Sequence, residues 1–264
     1  MKFLHLADLH LGKRVNGFDM LEDQRFILEQ ILTLCEKHGV EAVVIAGDIY
    51  DTPVPPAAAC TLLDWFLTQL AARRIPVLAV SGNHDSAERL DFASGLLAEQ
   101  GVHLAGRFNG APRQVVLNDR FGPVEFTLLP FVRAATVRHY MPEADLPDYD
   151  SAVAAALAAC QPAAPRRVLV AHQMVVAGIC PPQLAGSETA PLTVGTVDSS
   201  LQRGLRASAM RHSAISTAPS ASASTPCAMR VRRSATIWTS AGCRNPSPSC
   251  GSASAAWKKS SSCR

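Results

Sequence analysis

Three short polar clusters each follow directly after an apolar run, and their residue types suit metal-dependent hydrolysis. The clusters are Asp8-Leu9-His10, Gly47-Asp48 and Gly82-Asn83-His84-Asp85, and they follow the runs Met1–Leu6, Val40–Ala46 and Ile75–Val80. Each run predicts a buried strand, and each cluster predicts the loop at that strand's carboxyl end. Because carboxylate, imidazole and amide groups at neighbouring strand ends can converge, the pattern predicts a site for a pair of metal ions.

Each polar residue has its own predicted role in that site. Asp8 and His10 are two residues apart and can both reach one ion, while Asp48 is placed to bridge the two ions. Asn83 would give a carbonyl oxygen to the second ion, and His172, which ends a further apolar run, would give an imidazole. A mixed set of carboxylate and imidazole ligands suits Mn²⁺ or Fe better than Ca²⁺.

Three neighbouring residues complete the predicted site. His84 adjoins Asn83 but can turn toward the substrate, where it could protonate the leaving alkoxide as a general acid. Asp51 and Asp85 are predicted to orient the imidazoles without binding metal themselves. Taken singly, each carboxylate could cap a loop and each histidine could be structural. The recurrence of the same kind of site at successive strand ends favours the metal centre.

A repeated order of strand, polar loop and helix over residues 1 to about 105 predicts the elements that position this site. Apolar residues at helical spacing, or a run of alanines, predict four helices: Leu21–Cys35, Leu62–Leu70, Ala87–Gln100 and Ser151–Cys160. Alternation from Arg113 to Leu129 predicts a hairpin that turns near Asn118 to Gly122. Buried strands that alternate with helices predict a layered α/β fold.

Charge and cysteine usage limit the classes of partner. Ten of the 25 Lys and Arg follow Asp198 and no Asp or Glu does, so the preceding body has 15 basic against 22 acidic residues, net −7. The body therefore lacks an overall basic footprint for nucleic acid, and any DNA would be bound through local Lys and Arg and through metal ions. No CxxC pair, long apolar span or signal peptide is found, so we expect a cytoplasmic protein that does not associate with membranes.

These motifs resemble those of the calcineurin-like metallophosphoesterases and, within them, the SbcD family of nuclease subunits. The matching segments, within residues 1 to about 201, are Leu6–Gly12, Ala46–Asp51, Ser81–Ser86, Val170–Gln173 and Val194–Asp198. The resemblance implies a layered α/β/β/α fold with two Mn²⁺ ions, His84 as the catalytic histidine, and as metal ligands Asp8, His10, Asp48, Asn83 and His172. It further implies hydrolysis of DNA phosphodiester bonds in replication, recombination and repair, an SbcC-type ATPase subunit as partner, and dimerisation.

The composition changes after about Gln202, where Ser, Ala, Arg, Pro and Cys dominate and apolar periodicity is lost. A disordered basic tail is one interpretation. The resembled family carries a Gly-His-x-His motif that completes both metal sites, whereas His212 is the only histidine here after Leu201. We therefore expect a partial phosphoesterase domain over residues 1–201, incomplete at its C-terminal end, and a disordered tail over residues 202–264.

A shift of reading frame near Leu201 is our hypothesis for this change. Regrouped synonymous codons of Met210 to Thr217 can spell Ala-Ala-Leu-Gly-His-Leu-His, and those of Cys227 to Arg233 can spell Arg-Tyr-Ala-Gly-Thr-Pro. Both strings resemble the missing family segments, in the right order and in the same shifted frame. Loss of two histidine ligands would leave both ions under-coordinated, so weak or absent nuclease activity is expected for the chain as written.

Two other functions stay open on the sequence alone. One is a small-molecule phosphodiesterase of the same superfamily, which would hydrolyse a chromogenic phosphodiester without acting on duplex DNA. The other is a non-catalytic product that only binds a partner or has no activity, which would fold without binding Mn²⁺.

Overall fold

The computed structural model describes residues 1–176, 199–201, 214–216 and 236–239. The strands are β1 (Lys2–Leu6), β2 (Arg14–Val15), β3 (Phe18–Asp19), β4 (Ala42–Ala46), β5 (Val77–Val80), β6 (Val102–Ala105), β7 (Arg113–Asp119), β8 (Gly122–Leu129), β9 (Arg166–Ala171), β10 (Met174–Val176), β11 (Ser199–Leu201), β12 (Ala214–Ser216) and β13 (Thr236–Thr239). The helices are α1 (Leu21–His38), α2 (Ala57–Ala72), α3 (Ala87–Asp91), α4 (Ser94–Ala98), α5 (Ala134–Tyr140) and α6 (Tyr149–Ala158).

The first sheet brings the ends of the predicted strands to one edge. Its order is β13-β1-β4-β5-β6, in which β1, β4, β5 and β6 are parallel and β13 is antiparallel to β1. Parallel strands end at a common edge, so the loops that follow β1, β4 and β5 lie side by side. The polar clusters therefore meet at the carboxyl edge of this sheet, as their spacing predicts.

The second sheet contains the predicted hairpin and supplies His172. Its order is β12-β9-β8-β7, with β7 and β8 antiparallel and Asp119 opposite Gly122 at the turn. The predicted hairpin over Arg113–Leu129 is confirmed. Strand β9 is parallel to β8 and ends at Ala171, directly before His172.

The two sheets pack face to face and helices cover their outer faces. Phe3 of β1 meets Phe126 of β8 between the sheets, edge to face, with ring centroids 5.6 Å apart. Helices α1 and α2 pack on the first sheet, while α5 and α6 pack on the second. The layer order is α/β/β/α, which confirms the expected fold class.

Local signals set most helix boundaries but miss one break. Helix α1 ends at Gly39, whose left-handed φ of 57° ends the helix as the sequence predicts. The helix predicted over Ala87–Gln100 is wrong as a single helix, because it divides into α3 and α4 at Ala93, which is left-handed with φ 56°. Ser94 and Gly95, which follow the break, are weak helix formers and favour a restart over a continuous helix.

The region after residue 176 is described only in three short strands. Strand β11 pairs with β10, β12 with β9, and β13 with β1. The predicted division at residue 201 and the predicted disorder of residues 202–264 concern mostly residues outside the described part, so both stay predictions. In the described residues, no helix combines the length and apolar character needed to span a bilayer.

Candidate metal centre

The loops after β1 and β4 run alongside each other and carry three of the predicted ligands. The N–H of Asp8 donates to the Gly47 carbonyl over 3.2 Å, and the N–H of His10 donates to the Asp48 carbonyl over 3.0 Å. Asp8, His10 and Asp48 have φ values of 54°, 43° and 48°. Non-glycine residues rarely adopt this left-handed backbone, and three such residues at one sheet edge are typical of a functional site.

Two groups of potential ligand atoms meet at this edge and share one residue. The first group is His10, Asp48 and His84, and the second is Asp8, Asp48 and His172; within each, the ligand atoms lie within 4.8 Å of one another. Asp48 belongs to both groups, which is the position predicted for a bridging carboxylate. The first group is the more exposed of the two, because His84 faces solvent whereas Asp48 and His172 are buried.

The surroundings of His172 fit a cation. Nδ1 of His172 lies 2.8 Å from the Ala46 carbonyl and must donate to it, so Nε2 carries a lone pair in the neutral ring. Nε2 is 3.2 Å from Oδ1 of Asn83 and 3.4 Å from Oδ2 of Asp48. Three groups that can only accept hydrogen bonds thus face one another, and either a proton on Nε2 or a metal ion can satisfy them.

The groups around His172 and Asp48 favour the charged forms of both side chains. Burial by itself would lower the pKa of His172, but the Asp48 carboxylate, the Ala46 carbonyl and Asp8 together raise it. Burial also opposes ionisation of Asp48, yet the hydrogen bond and charge of His172 and the N–H of His84 hold the pKa of Asp48 below its usual value. A buried carboxylate that stays ionised beside a second acid needs a positive partner, and either protonated His172 or a divalent ion meets that need.

Burial also raises the pKa of Asp8, and the nearby Asp48 carboxylate adds to this effect against the opposing pull of His172. Burial lowers the pKa of His10, although Asp48 pulls in the other direction. Nδ1 of His10 lies 3.2 Å from Oδ1 of Asp51, but the contact is not aligned as a hydrogen bond. That buried nitrogen has no hydrogen-bond partner in the described part of the chain. The other ring nitrogen, Nε2, lies 3.7 Å from Oδ2 of Asp48 and is the one placed to bind a metal ion there.

Two glycines allow the ligands to approach one another. A Cβ on Gly47 would overlap the ring of His172, and a Cβ on Gly82 would overlap the backbone and carboxylate of Asp48. Gly47 also has a left-handed φ of 81°. Any larger residue at either position would push a predicted ligand out of place.

Asp85 and Asp51 do not have the same role, although the sequence predicts one for both. The Asp85 carboxylate accepts from the backbone N–H groups of Gly82, Ile49 and Tyr50, at 2.8 to 3.1 Å, and so ties the β4 loop to the β5 loop. Its bonds are thus to backbone, where an imidazole was expected, because it points into the turn that begins at Gly82. Asp51 does contact imidazoles, through its carboxylate at His10 and its carbonyl oxygen at His84.

His84 has the geometry of a proton donor held at the rim of the site. Its Nδ1 lies 2.9 Å from the carbonyl oxygen of Asp51, so this nitrogen carries a proton and Nε2 is left for the substrate side. Its backbone N–H donates to Oδ1 of Asp48 over 2.9 Å. The rings of His84 and His10 stand edge to face, with centroids 4.9 Å apart.

One functional residue was missed at the level of sequence. Gln24 of α1 is buried, and its amide nitrogen donates to the carbonyl oxygens of His10 at 2.7 Å and Leu9 at 3.3 Å. Its amide oxygen accepts from the N–H of Gly12 at 3.0 Å. Gln24 therefore holds the loop that carries His10. A polar residue on the otherwise apolar face of a predicted helix was the signal that could have found it.

Comparison with known proteins finds one matching sequence family and a distantly similar solved structure. The sequence family described as calcineurin-like phosphoesterase matches residues 1–153. Among solved structures, a dimetal phosphatase from Danio rerio resembles the chain with a TM-score of 0.30 and 20% identity. That alignment covers 48% of this chain and 43% of the Danio rerio chain, so less than half of the latter's length is spanned.

Proposed function

The chain belongs to the calcineurin-like phosphoesterase family, whose match covers more than half of its 264 residues, and we propose that it is a phosphodiesterase acting on DNA. Membership of this family supports the general function of a metal-dependent phosphoester hydrolase. The finer proposal, a nuclease subunit of the SbcD type, is supported by the motif segments between Leu6 and Asp198.

The sharing of Asp48 between two ligand groups is the observation that carries the proposal. His10 and His84 share one group with Asp48, and Asp8 and His172 share the other, in which His172 also lies next to Asn83. We propose that Asp8, His10, Asp48, Asn83 and His172 hold two Mn²⁺ ions, while His84 does not bind metal and acts as the proton donor. When bound, two divalent ions supply charge stabilisation to the attacking and leaving oxygens of a phosphoryl group.

The protein's own contribution to the chemistry is positioning and proton transfer. Nδ1 of His84 donates to the Asp51 carbonyl, so the doubly protonated ring would have its Nε2–H free to give a proton to the leaving alkoxide and would then become neutral. The Asp48 carboxylate accepts the backbone N–H of His84, so the proton donor and the shared ligand keep a fixed relation. A phosphodiester placed at the exposed side of Asp48 would therefore have its leaving group near His84.

A small-molecule phosphodiesterase is the second candidate, and the net charge of −7 up to Asp198 favours it. A long duplex would be repelled by that charge, whereas a small substrate needs only the metal centre. For the DNA nuclease we further propose what the family resemblance implies. The protein would be cytoplasmic, would form a complex with an SbcC-type ATPase, and would dimerise.

Hydrolysis by the purified chain with Mn²⁺ tests the proposal. We expect weak release of nitrophenol from bis(p-nitrophenyl) phosphate, lost in His84→Ala, and weak or no cleavage of duplex DNA because the Gly-His-x-His ligands are missing. Robust duplex cleavage would contradict the expectation of a defective site. A chain that folds but neither binds Mn²⁺ nor hydrolyses the phosphodiester would contradict the phosphodiesterase itself.

The coding DNA tests the frame-shift hypothesis separately. We expect the codons from Val194 through Cys227 to regroup as Gly-His-Leu-His and Arg-Tyr-Ala-Gly-Thr-Pro in the shifted frame. Codons that do not regroup in this way would make the tail a genuine sequence and the chain a diverged phosphoesterase.

A further inference from the structure

The phenol of Tyr149 lies behind the candidate metal centre, on the helix side of the second sheet. Tyr149 is the first residue of α6 and is buried in the apolar cluster that contains Val132 and Val153. Its O–H lies within hydrogen-bond distance of the Val132 carbonyl, at 3.0 Å, and of Oε1 of Gln173. Because a buried phenol has to find a hydrogen-bond acceptor, this group ties the helix to the segment that follows β9.

The side chain of Gln173 has both ends of its amide engaged. Gln173 is 4% exposed, its Nε2 donates to the Pro130 carbonyl over 3.3 Å, and its Oε1 accepts from Tyr149. An exchange of the amide oxygen and nitrogen would place the oxygen against the Pro130 carbonyl, where two acceptors would face each other. The Tyr149 hydroxyl and the Pro130 carbonyl therefore hold this amide in one orientation.

His172 and Gln173 hold the end of β9 from opposite faces. Successive side chains of an extended segment point in opposite directions. Nδ1 of His172 donates to the Ala46 carbonyl of the first sheet over 2.8 Å, whereas Gln173 reaches the side covered by α6. Since the two residues share a peptide bond, a shift of Gln173 would move the ring of His172 and change the 3.2 Å distance from its Nε2 to Oδ1 of Asn83.

The loop between β8 and α5, residues 130–133, joins the two segments that carry these predicted ligands. The N–H of Phe131 donates to the Ser81 carbonyl over 2.9 Å, and Ser81 lies two residues before Asn83. The same loop accepts hydrogen bonds from Gln173 and Tyr149. The phenol therefore supports the spacing between two predicted ligands, because it is bonded to the loop that connects them.

The start of α6 is fixed by its own capping contacts. The N–H of Ser151 donates to Oδ1 of Asp148 over 2.7 Å, and the N–H of Asp148 donates to Oγ of Ser151 over 3.2 Å. This reciprocal pair satisfies two backbone donors at the beginning of the helix. Tyr149 follows Asp148 directly and so has a fixed position from which to hold Gln173.

We propose that Tyr149 is a positioning residue of the candidate metal centre, which acts through Gln173 to hold the ring of His172 beside Asn83. The proposal rests on the proposed function, since it assigns a residue to that metal centre. The rival explanation is that the phenol only fills the core and stabilises the fold. The two explanations differ in whether Mn²⁺ affinity changes beyond the effect of lost stability.

Isothermal titration calorimetry of the full chain with Mn²⁺ tests the proposal. Tyr149→Phe removes one oxygen atom and leaves the ring in the core. We expect it to weaken by about tenfold the binding event that His172→Ala also weakens, as is typical of residues that only support a ligand. Tyr140→Phe makes the same change at a tyrosine that is 40% exposed and should bind Mn²⁺ like the unchanged chain.

A second control separates positioning from stability. Val153 packs in the same cluster as Tyr149 and is 2% exposed, so Val153→Ala should lower the thermal midpoint at least as much as Tyr149→Phe. We expect Val153→Ala to leave Mn²⁺ affinity unchanged at a temperature where both variants are folded. Equal losses of Mn²⁺ affinity in the two variants, or none in either, would overturn the proposal.

A double-mutant cycle with Gln173→Met tests whether Tyr149 acts through Gln173. The methionine side chain keeps the length of the glutamine and lacks its amide. We expect Gln173→Met to weaken the same binding event, and Tyr149→Phe added to it to lower the affinity by less than about twofold more. Losses that multiply would overturn the proposed route from the phenol to His172.

Exchange of the Nδ1 proton of His172 with solvent, followed by NMR in the metal-free chain, gives a readout that does not need metal binding. We expect several-fold faster exchange in Tyr149→Phe and a smaller change in Val153→Ala. The same rate in Tyr149→Phe as in the unchanged chain would overturn the proposal. If this difference is found in a chain that binds no Mn²⁺, the proposed function fails and the role of Tyr149 in placing His172 stands, so the two ideas can fail separately.

Discussion

The two ligand groups around Asp48 differ in how the protein holds them. In the Asp8 and His172 group, His172 is buried and joins the second sheet to the first through the Ala46 carbonyl. The His10 and His84 group is more open to solvent and is held by residues outside the sheets, through the Gln24 amide at the His10 carbonyl and the Asp51 carbonyl at the His84 ring. The difference indicates that one half of the site is fixed by the packing of the sheets, while the other half depends on a few hydrogen bonds outside the sheets.

Replacement of Asp48 should have the largest effect, because both halves use its carboxylate. We expect Asp48→Asn to abolish both Mn²⁺ binding events in isothermal titration calorimetry, a loss of more than the roughly 10- to 100-fold typical of residues that only support a ligand. Asp145→Asn, at an exposed carboxylate, is the control and should bind as before. Retention of one event at full affinity would show that the halves do not share a ligand.

Replacement of His172 should separate the halves. We expect His172→Ala to weaken one Mn²⁺ binding event and to lower the free energy of unfolding by about 1–3 kcal/mol, because the buried Ala46 carbonyl loses its donor. His10→Ala should weaken the other event without a comparable change in thermal midpoint, since its Nδ1 has no hydrogen-bond partner to lose among the described residues. Similar changes in stability for both variants would contradict the contrast between a packed half and an open half.

Replacement of Gln24 should affect only the half of the site that contains His10. We expect Gln24→Leu to weaken the Mn²⁺ binding event that uses His10 by about tenfold, because the His10 loop loses three hydrogen bonds to the helix. Gln30→Leu changes an exposed glutamine of the same helix and should have no effect on binding. If both events weaken equally in Gln24→Leu, the residue supports the fold as a whole and has no specific relation to His10.

The smallest expected effect is a loss of folding stability at low pH. This loss has to be separated from changes in metal binding when the two halves of the site are compared. Burial between the sheets lowers the pKa of His5 to about 4, and its Nε2 has no hydrogen-bond partner among the described residues. His5 of the unfolded chain takes up a proton near the usual histidine pKa of 6.5, and His5 of the folded chain does not. Stability is therefore lost as the pH falls from about 6.5 to about 4, by up to roughly 1.4 kcal/mol per pH unit.

We expect His5→Phe to flatten this acid limb in urea denaturation measured between pH 7 and pH 4. His38→Phe, at the exposed end of α1, is the matched change and should leave the limb as it is. An unchanged slope in His5→Phe would mean that other groups cause the acid sensitivity.

The residues of the site were predictable because their types and their places after apolar runs are both visible in the sequence. Asp8, His10, Asp48 and His172 meet as expected once parallel strands end at one edge. The roles of Gln24 and Asp85 were not predictable in this way. Each acts through hydrogen bonds to backbone atoms of another segment, and the sequence holds no record of which backbone groups will lie nearby.

The sequence by itself determined the layered α/β class, the order of the predicted strands and the set of candidate metal ligands, because hydrophobic periodicity and residue chemistry are local properties. Only the tertiary structure decided that Asp48 is shared between two groups and that His172 reaches from the second sheet to the first. These features arise from the approach of segments far apart in the chain. Their packing, rather than any pattern in one segment, fixes the distances on which the proposed chemistry depends.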